Sequence, residues 1–343
     1  MTLRTYVIAR ILLTIPMIFI LLTSVFLVMR VLPGDPVQMH FEKMASPAVI
    51  NQMRIQLGLD KPLYAQYFDY IVGLFRGDLG KSMQDYSSVG QQIFSAFPAT
   101  LELAICSMLI AVLIGVFLGV EASKSYNRPK DHIIRIFGIV TYAIPVFFLG
   151  MILQMVFGVW LHWLPTGGRI APGMAPTGLS LGGIHFSTGL YTVDSLLQGN
   201  LTEFGLSLKY LLLPSLTLGL VLCGIFIRLT RTNMFETMRL DFVTAAKARG
   251  LKDSTVTYRY ILRNAFLPVL TMTGLQFALL LGGAVLTETT FSWPGLGRYL
   301  VDRINFRDYT AIQGAVVVFG IFVSIVSLIV DLLYAYLDPR IRL

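Results

Sequence analysis

Apolar residues run without a charge through six stretches of the chain, a pattern that predicts six membrane-spanning helices. The stretches cover residues 11–29, 103–120, 136–168, 210–227, 264–287 and 309–330, with lengths of 19, 18, 33, 18, 24 and 22 residues. A helix crossing ~30 Å of hydrocarbon needs about 20 residues, so five stretches fit one span each. The 33-residue stretch holds a span plus a loop, because Leu164-Pro165-Thr166-Gly167-Gly168 is turn chemistry. Residues 170–193 are uncharged too, but rich in Gly, Pro, Ser and Thr, and they read as a loop. The first stretch follows Arg4 and Arg10, is longer than a signal-peptide core and precedes no A-x-A site, so a retained helix is expected. The expected fold class is all-α: an integral membrane protein with six transmembrane helices and an external segment between the first two.

Composition agrees. The chain is 55% hydrophobic and 13% charged, against about 25% charge in soluble domains. Its net charge of +8 would suit nucleic acid if it were spread evenly, and it is not. Lys124, Arg128, Lys130 and Arg135 face only Asp131 in one loop. Segment 228–263 carries eight basic residues (Arg228, Arg231, Arg239, Lys247, Arg249, Lys252, Arg259, Arg263) against Glu236, Asp241 and Asp253. Arg4, Arg10, Arg340 and Arg342 mark the ends, whereas residues 32–98 balance five basic with six acidic side chains. With six spans the basic loops share one side, which the positive-inside rule makes cytoplasmic, together with both termini. The charge is therefore topological, and nucleic-acid binding is excluded. Residues 37–97, with Tyr64, Tyr67, Phe68, Tyr70 and the turn Gly77-Asp78-Leu79-Gly80, are expected to form a small external cap.

Candidate chemistry is sparse. Cys106 and Cys223 lie in apolar runs, and His40, His132, His162 and His185 are scattered, so no disulfide framework or metal set is expected. No G-x-x-x-x-G-K-[ST] motif and no nucleophile–base set occurs, which leaves catalysis and ATP binding to other chains. Glu102, Glu288 and Asp331 sit in or beside spans, where ionisable groups are costly. Glu102 and Glu288 are expected to snorkel to the external interface or to pair structurally. Asp331 is expected to pair with Arg340 or Arg228. Pro16 and Pro145 are candidate kinks.

The most informative stretch is 241–268, DFVTAAKARGLKDSTVTYRYILRNAFLP. Phe242, Ala245 and Ala246 share a face of a short helix, Gly250 suits its left-handed end, and Asp253 or Ser254 suits the N-cap of a second helix running toward Leu262. The stretch resembles the cytoplasmic EAA loop of importer permeases: Thr244-Ala245-Ala246, three residues, Gly250, with Leu262 at the consensus Leu. Thr244 replaces the consensus Glu and Arg263 the Pro. Both departures resemble the peptide and nickel branch, as do Ala246-Lys247-Ala248-Arg249-Gly250-Leu251 and Leu262-Arg263-Asn264-Ala265-Phe266-Leu267-Pro268. Leu32-Pro33-Gly34-Asp35-Pro36, Leu57-Gly58-Leu59-Asp60-Lys61-Pro62, Ala99-Thr100-Leu101-Glu102-Leu103, Leu286-Thr287-Glu288-Thr289, Phe291-Ser292-Trp293-Pro294-Gly295-Leu296-Gly297-Arg298 and Arg307-Asp308-Tyr309 extend the resemblance in order along nearly the whole chain.

The resemblance implies a binding-protein-dependent ATP-binding-cassette (ABC) importer permease in the cell membrane. It divides the chain into 1–31, a cytoplasmic N-terminus and first helix; 32–97, an external segment; and 98–343, the permease core with a coupling loop at 233–264. Phe242, Thr244, Ala245, Ala246, Ala248, Arg249, Gly250 and Leu251 would dock in a cytoplasmic ATPase. The implied partners are a second, homologous permease in a heterodimer, two ATPase subunits that carry ATP and Mg, and an external solute-binding protein. Peptides are the implied cargo, with oligosaccharides, nickel complexes or glutathione as alternatives. The rivals are an ion-coupled secondary transporter, which calls for mid-membrane carboxylates and repeated spans, and a membrane enzyme, which calls for a reactive cluster. Neither pattern is visible in the sequence.

Overall fold

A computed structural model describes residues 3–31, 37 and 46–337, except 172, 175, 177, 182 and 183. The 32–36 motif, Arg340 and Arg342 lie outside the described residues. The helices are α1 (Leu3–Val31), α2 (Pro47–Gln56), α3 (Leu63–Phe75), α4 (Val89–Lys124), α5 (Pro129–Ala143), α6 (Val146–Leu153), α7 (Tyr191–Leu197), α8 (Leu201–Met238), α9 (Asp241–Ala248), α10 (Asp253–Thr255), α11 (Leu262–Gly283), α12 (Val285–Thr290), α13 (Leu296–Asn305) and α14 (Tyr309–Leu337). Wider π-helical turns continue α6 over Gln154–Trp160 and join α10 to α11 over Val256–Ile261. A two-stranded antiparallel hairpin, β1 (Leu179–Leu181) with β2 (Ile184–Phe186), sits in the long loop.

Among the described residues, five helices are long and apolar enough to cross a membrane, and the pair Pro129–Ala143 and Val146–Trp160 makes six if it counts as one span. That pair is bent by 103°. The cause is local: Ile144 precedes Pro145, whose ring disfavours helical backbone in the residue before it, and Ile144 is extended (φ −71°, ψ 130°). The third stretch thus contains an angular break as well as its loop. The fifth is also interrupted, because the helix stops at Gly283 and α12 starts anew.

The 36 residues of α4 and 38 of α8 reach about 54 and 57 Å at 1.5 Å per residue, well beyond a ~30 Å hydrocarbon layer. They lie so close that a Cβ on Gly115 would meet Phe226 Cβ at 2.3 Å. The main core joins Leu103, Met108, Leu218, Phe226, Val269, Leu281 and Trp293 from α4, α8, α11 and the 291–295 turn. Beside it, α1 runs along α14. The outward sides of α1, α4 and α5 stay apolar, with Leu12, Leu13, Ile20, Leu113, Phe117, Ile133 and Ile139 exposed. A surface of that kind suits lipid or another membrane chain.

Residues 46–88 fold as a small cap. Tyr67 of α3 packs edge-on against Phe26 of α1 (5.1 Å) and shares a 2.7 Å hydrogen bond with Thr23. Val37, Met53 and Met83 form the cap's own core. At the start of α14, buried Asp308 accepts hydrogen bonds from Ser82 Oγ, Met83 N and Ala311 N, so one carboxylate caps the helix and ties the cap to it.

Candidate coupling site

The candidate site stands where α8 ends. After Met238 the chain turns through Arg239 and an extended Leu240, and α9 starts at Asp241. Val243 and Ala246, three residues apart, form one inward face and are 1% and 5% exposed. They pack on Val120 of α4, Met234 of α8 and Val256, Ile261 and Ala265 at the foot of α11. The apolar spacing thus holds α9 against the ends of three long helices.

The end of α9 is equally determined. Gly250 N donates to Lys247 O (2.9 Å) and Leu251 N to Ala246 O (3.4 Å), the two bonds of a Schellman motif. Gly250 takes φ +74°, the left-handed backbone that glycine adopts without penalty. Leu251, half-buried, packs on the same core as Ala246 and closes the motif.

The second helix differs from its expected form. Its N-cap is Lys252, with no side-chain cap bond, and not Asp253 or Ser254. Asp253 occupies the first turn, where its charge favours the helix dipole. The helix also does not stop near Leu262; it passes through the π-helical turns into α11.

Among the candidate docking residues, Phe242, Thr244, Ala245, Ala248, Arg249 and Gly250 point away from the body and are exposed. Ala246 and Leu251 belong to the inward face. Together with exposed Leu240 and Lys247, the outer face offers an aromatic ring, small methyl groups and positive charge on a helix clamped from behind.

Polar contacts stiffen the base. Asp131 on α5 receives two charge-assisted hydrogen bonds from Arg231 on α8, 2.7 and 2.8 Å long. Tyr126 stacks on Phe235 at 4.3 Å. Lys124 and Lys130 both reach Glu121, and Lys124 also donates to Tyr258 (2.9 Å).

At the opposite end of the long helices, Glu102 and Glu288 depart from expectation. Neither snorkels; they are 4% and 0% exposed. Glu102 binds Arg169 (2.7 Å) and accepts from Thr192 N and Oγ1 (2.7 Å each). Glu288 accepts from Thr100 Oγ1 (2.6 Å) and Arg298 N (2.9 Å). Leu296 N donates to Thr100 Oγ1, and Trp293 Nε1 donates to Ala99 O. Residues 99–102 thereby hold both the 169–192 loop and the 291–298 turn. Structural pairing is what each acid does, and the external interface is not where they end.

Asp331 pairs with Arg10 at 3.3 Å, and not with Arg228; Arg340 lies outside the described residues. Sequence reasoning missed Arg169, Asp131–Arg231 and Asp308. Only Asp308 had a local signal, an Asp directly before an apolar helical run.

Comparisons with known proteins agree on what the chain is similar to. The family model described as binding-protein-dependent transport system inner membrane component matches residues 111–343, and its N-terminal companion matches residues 3–104. The dipeptide transport system permease protein of Alkalihalophilus pseudofirmus is 38% identical, over 98% of this chain and 99% of its own length. The di/tripeptide transport system permease protein of Pseudomonas aeruginosa is 39% identical over 98% of each. The glutathione transport system permease protein of Salmonella choleraesuis is 37% identical over 98% of each. This chain belongs to the family of binding-protein-dependent transport system inner membrane components, the non-enzymatic permease subunits of ABC importers.

Proposed function

We propose that the chain forms half of a pathway that carries peptides, or a related small solute, across the inner membrane by alternating access. The second half comes from a homologous permease in a pseudo-two-fold heterodimer. Both termini and segment 228–263 face the cytoplasm, segment 32–97 lies outside, and 98–343 is the permease core. Two ATPase subunits, which carry ATP and Mg, dock on α9, and a solute-binding protein delivers cargo from outside.

One observation carries the reading. The outer face of α9 is free, while its inner face and its C-terminus are fixed to α4, α8 and the foot of α11. Force applied by a partner at Phe242, Ala245 and Ala248 therefore passes into the long helices instead of being lost in a loop. The π-helical turns at Val256–Ile261 lie on that path, and such turns often mark functional sites. A break of 103° at Pro145 offers a second place where a span can change angle.

Purification from the native membrane tests the assembly: two ATPase subunits and a second permease should co-purify. A chain isolated alone that drives ion-coupled uptake in ATP-free vesicles would overturn it. Cargo is tested by deleting the chain and measuring uptake of labelled dialanine and labelled glutathione. Loss of dialanine uptake alone supports peptides, and loss of glutathione uptake alone assigns the cargo to the other relative's class.

A further inference from the structure

Between α5 and α8 lies a groove of about 410 Å³ whose lining includes Arg135, Gly138, Ile139, Tyr142, Gly224 and Arg228. The helices touch backbone to backbone at its floor, where a Cβ on Gly224 would meet Gly138 O at 2.2 Å. Residues one turn apart share a side, so Arg135, Ile139 and Tyr142 line one wall and Ile225 with Arg228 the other. The basic heads gather at the end near Asp131, and the deeper part is apolar.

The charges do not cancel. Asp131 is engaged by Arg231 through two hydrogen bonds and also lies in the field of Arg135. Arg135 and Arg228 are exposed, and neither makes a hydrogen bond or ion pair among the described residues. The surface leading to the groove is apolar, with Ile133, Ile136, Ile139 and Val140 all exposed on α5. An aqueous solute gains little from such a wall, whereas an acyl chain fits it.

We propose that this groove binds an anionic phospholipid, with its phosphate between Arg135 and Arg228 and an acyl chain along Ile139, Tyr142 and Ala143. Basic pockets between spans at the membrane surface suit such head groups. The assignment to the cytoplasmic leaflet rests on the orientation proposed above; the binding itself does not.

The test uses the full chain in dodecyl maltoside, with bound lipid counted by native mass spectrometry during titration with phosphatidylglycerol or phosphatidylcholine. Phosphatidylglycerol should be retained preferentially, and R135Q/R228Q should weaken it roughly 30-fold, at about tenfold per 1.4 kcal/mol and about 1 kcal/mol for each surface cation. The charge-matched double variant R76Q/K81Q, in the cap, should retain it. Equal loss in both double variants would overturn the site in favour of diffuse attraction. Displacement by millimolar glycerol phosphate or dialanine would overturn it in favour of a soluble anion. Displacement of the lipid by the co-purified second permease would assign the groove to the subunit interface. Sidedness is read separately, from protease access to a C-terminal tag in sealed vesicles, so a failed orientation and a failed lipid site give different results.

Discussion

Arg231 and Asp131 stand 100 positions apart in sequence, yet the guanidinium of one grips the carboxylate of the other through bonds of 2.7 and 2.8 Å. Asp131 is fully buried and Arg231 half-buried, with a side chain 17% exposed. The pair joins α5 to α8 just above the helix that offers the docking face.

Removing Arg231 leaves a buried charge without compensation. Arg231→Gln should destabilise the fold by about 3–5 kcal/mol, and Asp131→Asn by less, because the guanidinium it leaves behind is partly exposed. Arg231→Lys should recover only part of that, because an ammonium cannot make the two-pronged contact. Thermal unfolding of the purified chain in detergent measures this, and a lysine variant as stable as wild type would contradict the two-bond reading.

The two faces of α9 should separate coupling from folding. Ala245→Trp places a large ring on the exposed face and should abolish ATP-driven uptake with expression and melting unchanged. Ala246→Trp forces the same ring into a closed core and should destabilise by about 1–3 kcal/mol or more. Normal uptake by the Ala245→Trp protein would show that this face docks nothing.

Gly250 offers a backbone test. An added Cβ would meet nothing within 4 Å, so the cost of Gly250→Ala comes from φ +74° alone. That cost should be about 1–2 kcal/mol, with Gly250→Asn cheaper. Gly250→Trp adds an indole to the outer surface and should insert into the membrane yet fail in ATP-coupled uptake. Equal melting temperatures for the Ala and Asn variants would argue against a left-handed Gly250.

Asp194 gives the pH dependence. Burial opposes its charge, but hydrogen bonds from Thr188 N and Oγ1, Ser187 Oγ and Gly189 N prevail and hold its carboxyl below the ordinary 3.8. Because the folded value is depressed, the stabilisation is complete above 3.8 and fades as the pH falls from there through the folded value. Exchange of the Thr188 and Gly189 amides, corrected for intrinsic rate, should stay protected at neutral pH and rise only in that acidic range. Asp194→Asn should expose them at neutral pH. Opening of the wild-type turn already near neutrality would refute the assignment.

How much could be read in advance depended on the range of the interaction. Apolar runs and the left-handed glycine at 250 are short-range features, so they were legible. The face of α9 was not, because the expected set Phe242, Ala245 and Ala246 divides, with Ala246 turned inward beside Val243 and the other two exposed. Even the break at Pro145 has its cause in two adjacent residues. The burial of Glu102 and Glu288 was not legible, because their partners lie 67 and 188 positions away and neither shares a helix with them. Ala246 illustrates the boundary: its helix was predictable, but whether its methyl group faced the body or a partner depended on where α4, α8 and α11 end.

Local chemistry in the chain was enough to establish a membrane protein, its apolar helices and the family it resembles. Hydrocarbon and water act on each segment separately, so no knowledge of neighbours was required. Folding in three dimensions decided which acids are buried pairs, which side of α9 is free, and that three arginines gather beside an apolar groove. Those outcomes depend on contacts between segments far apart in sequence, where a charge is tolerated in the interior only once its partner has arrived.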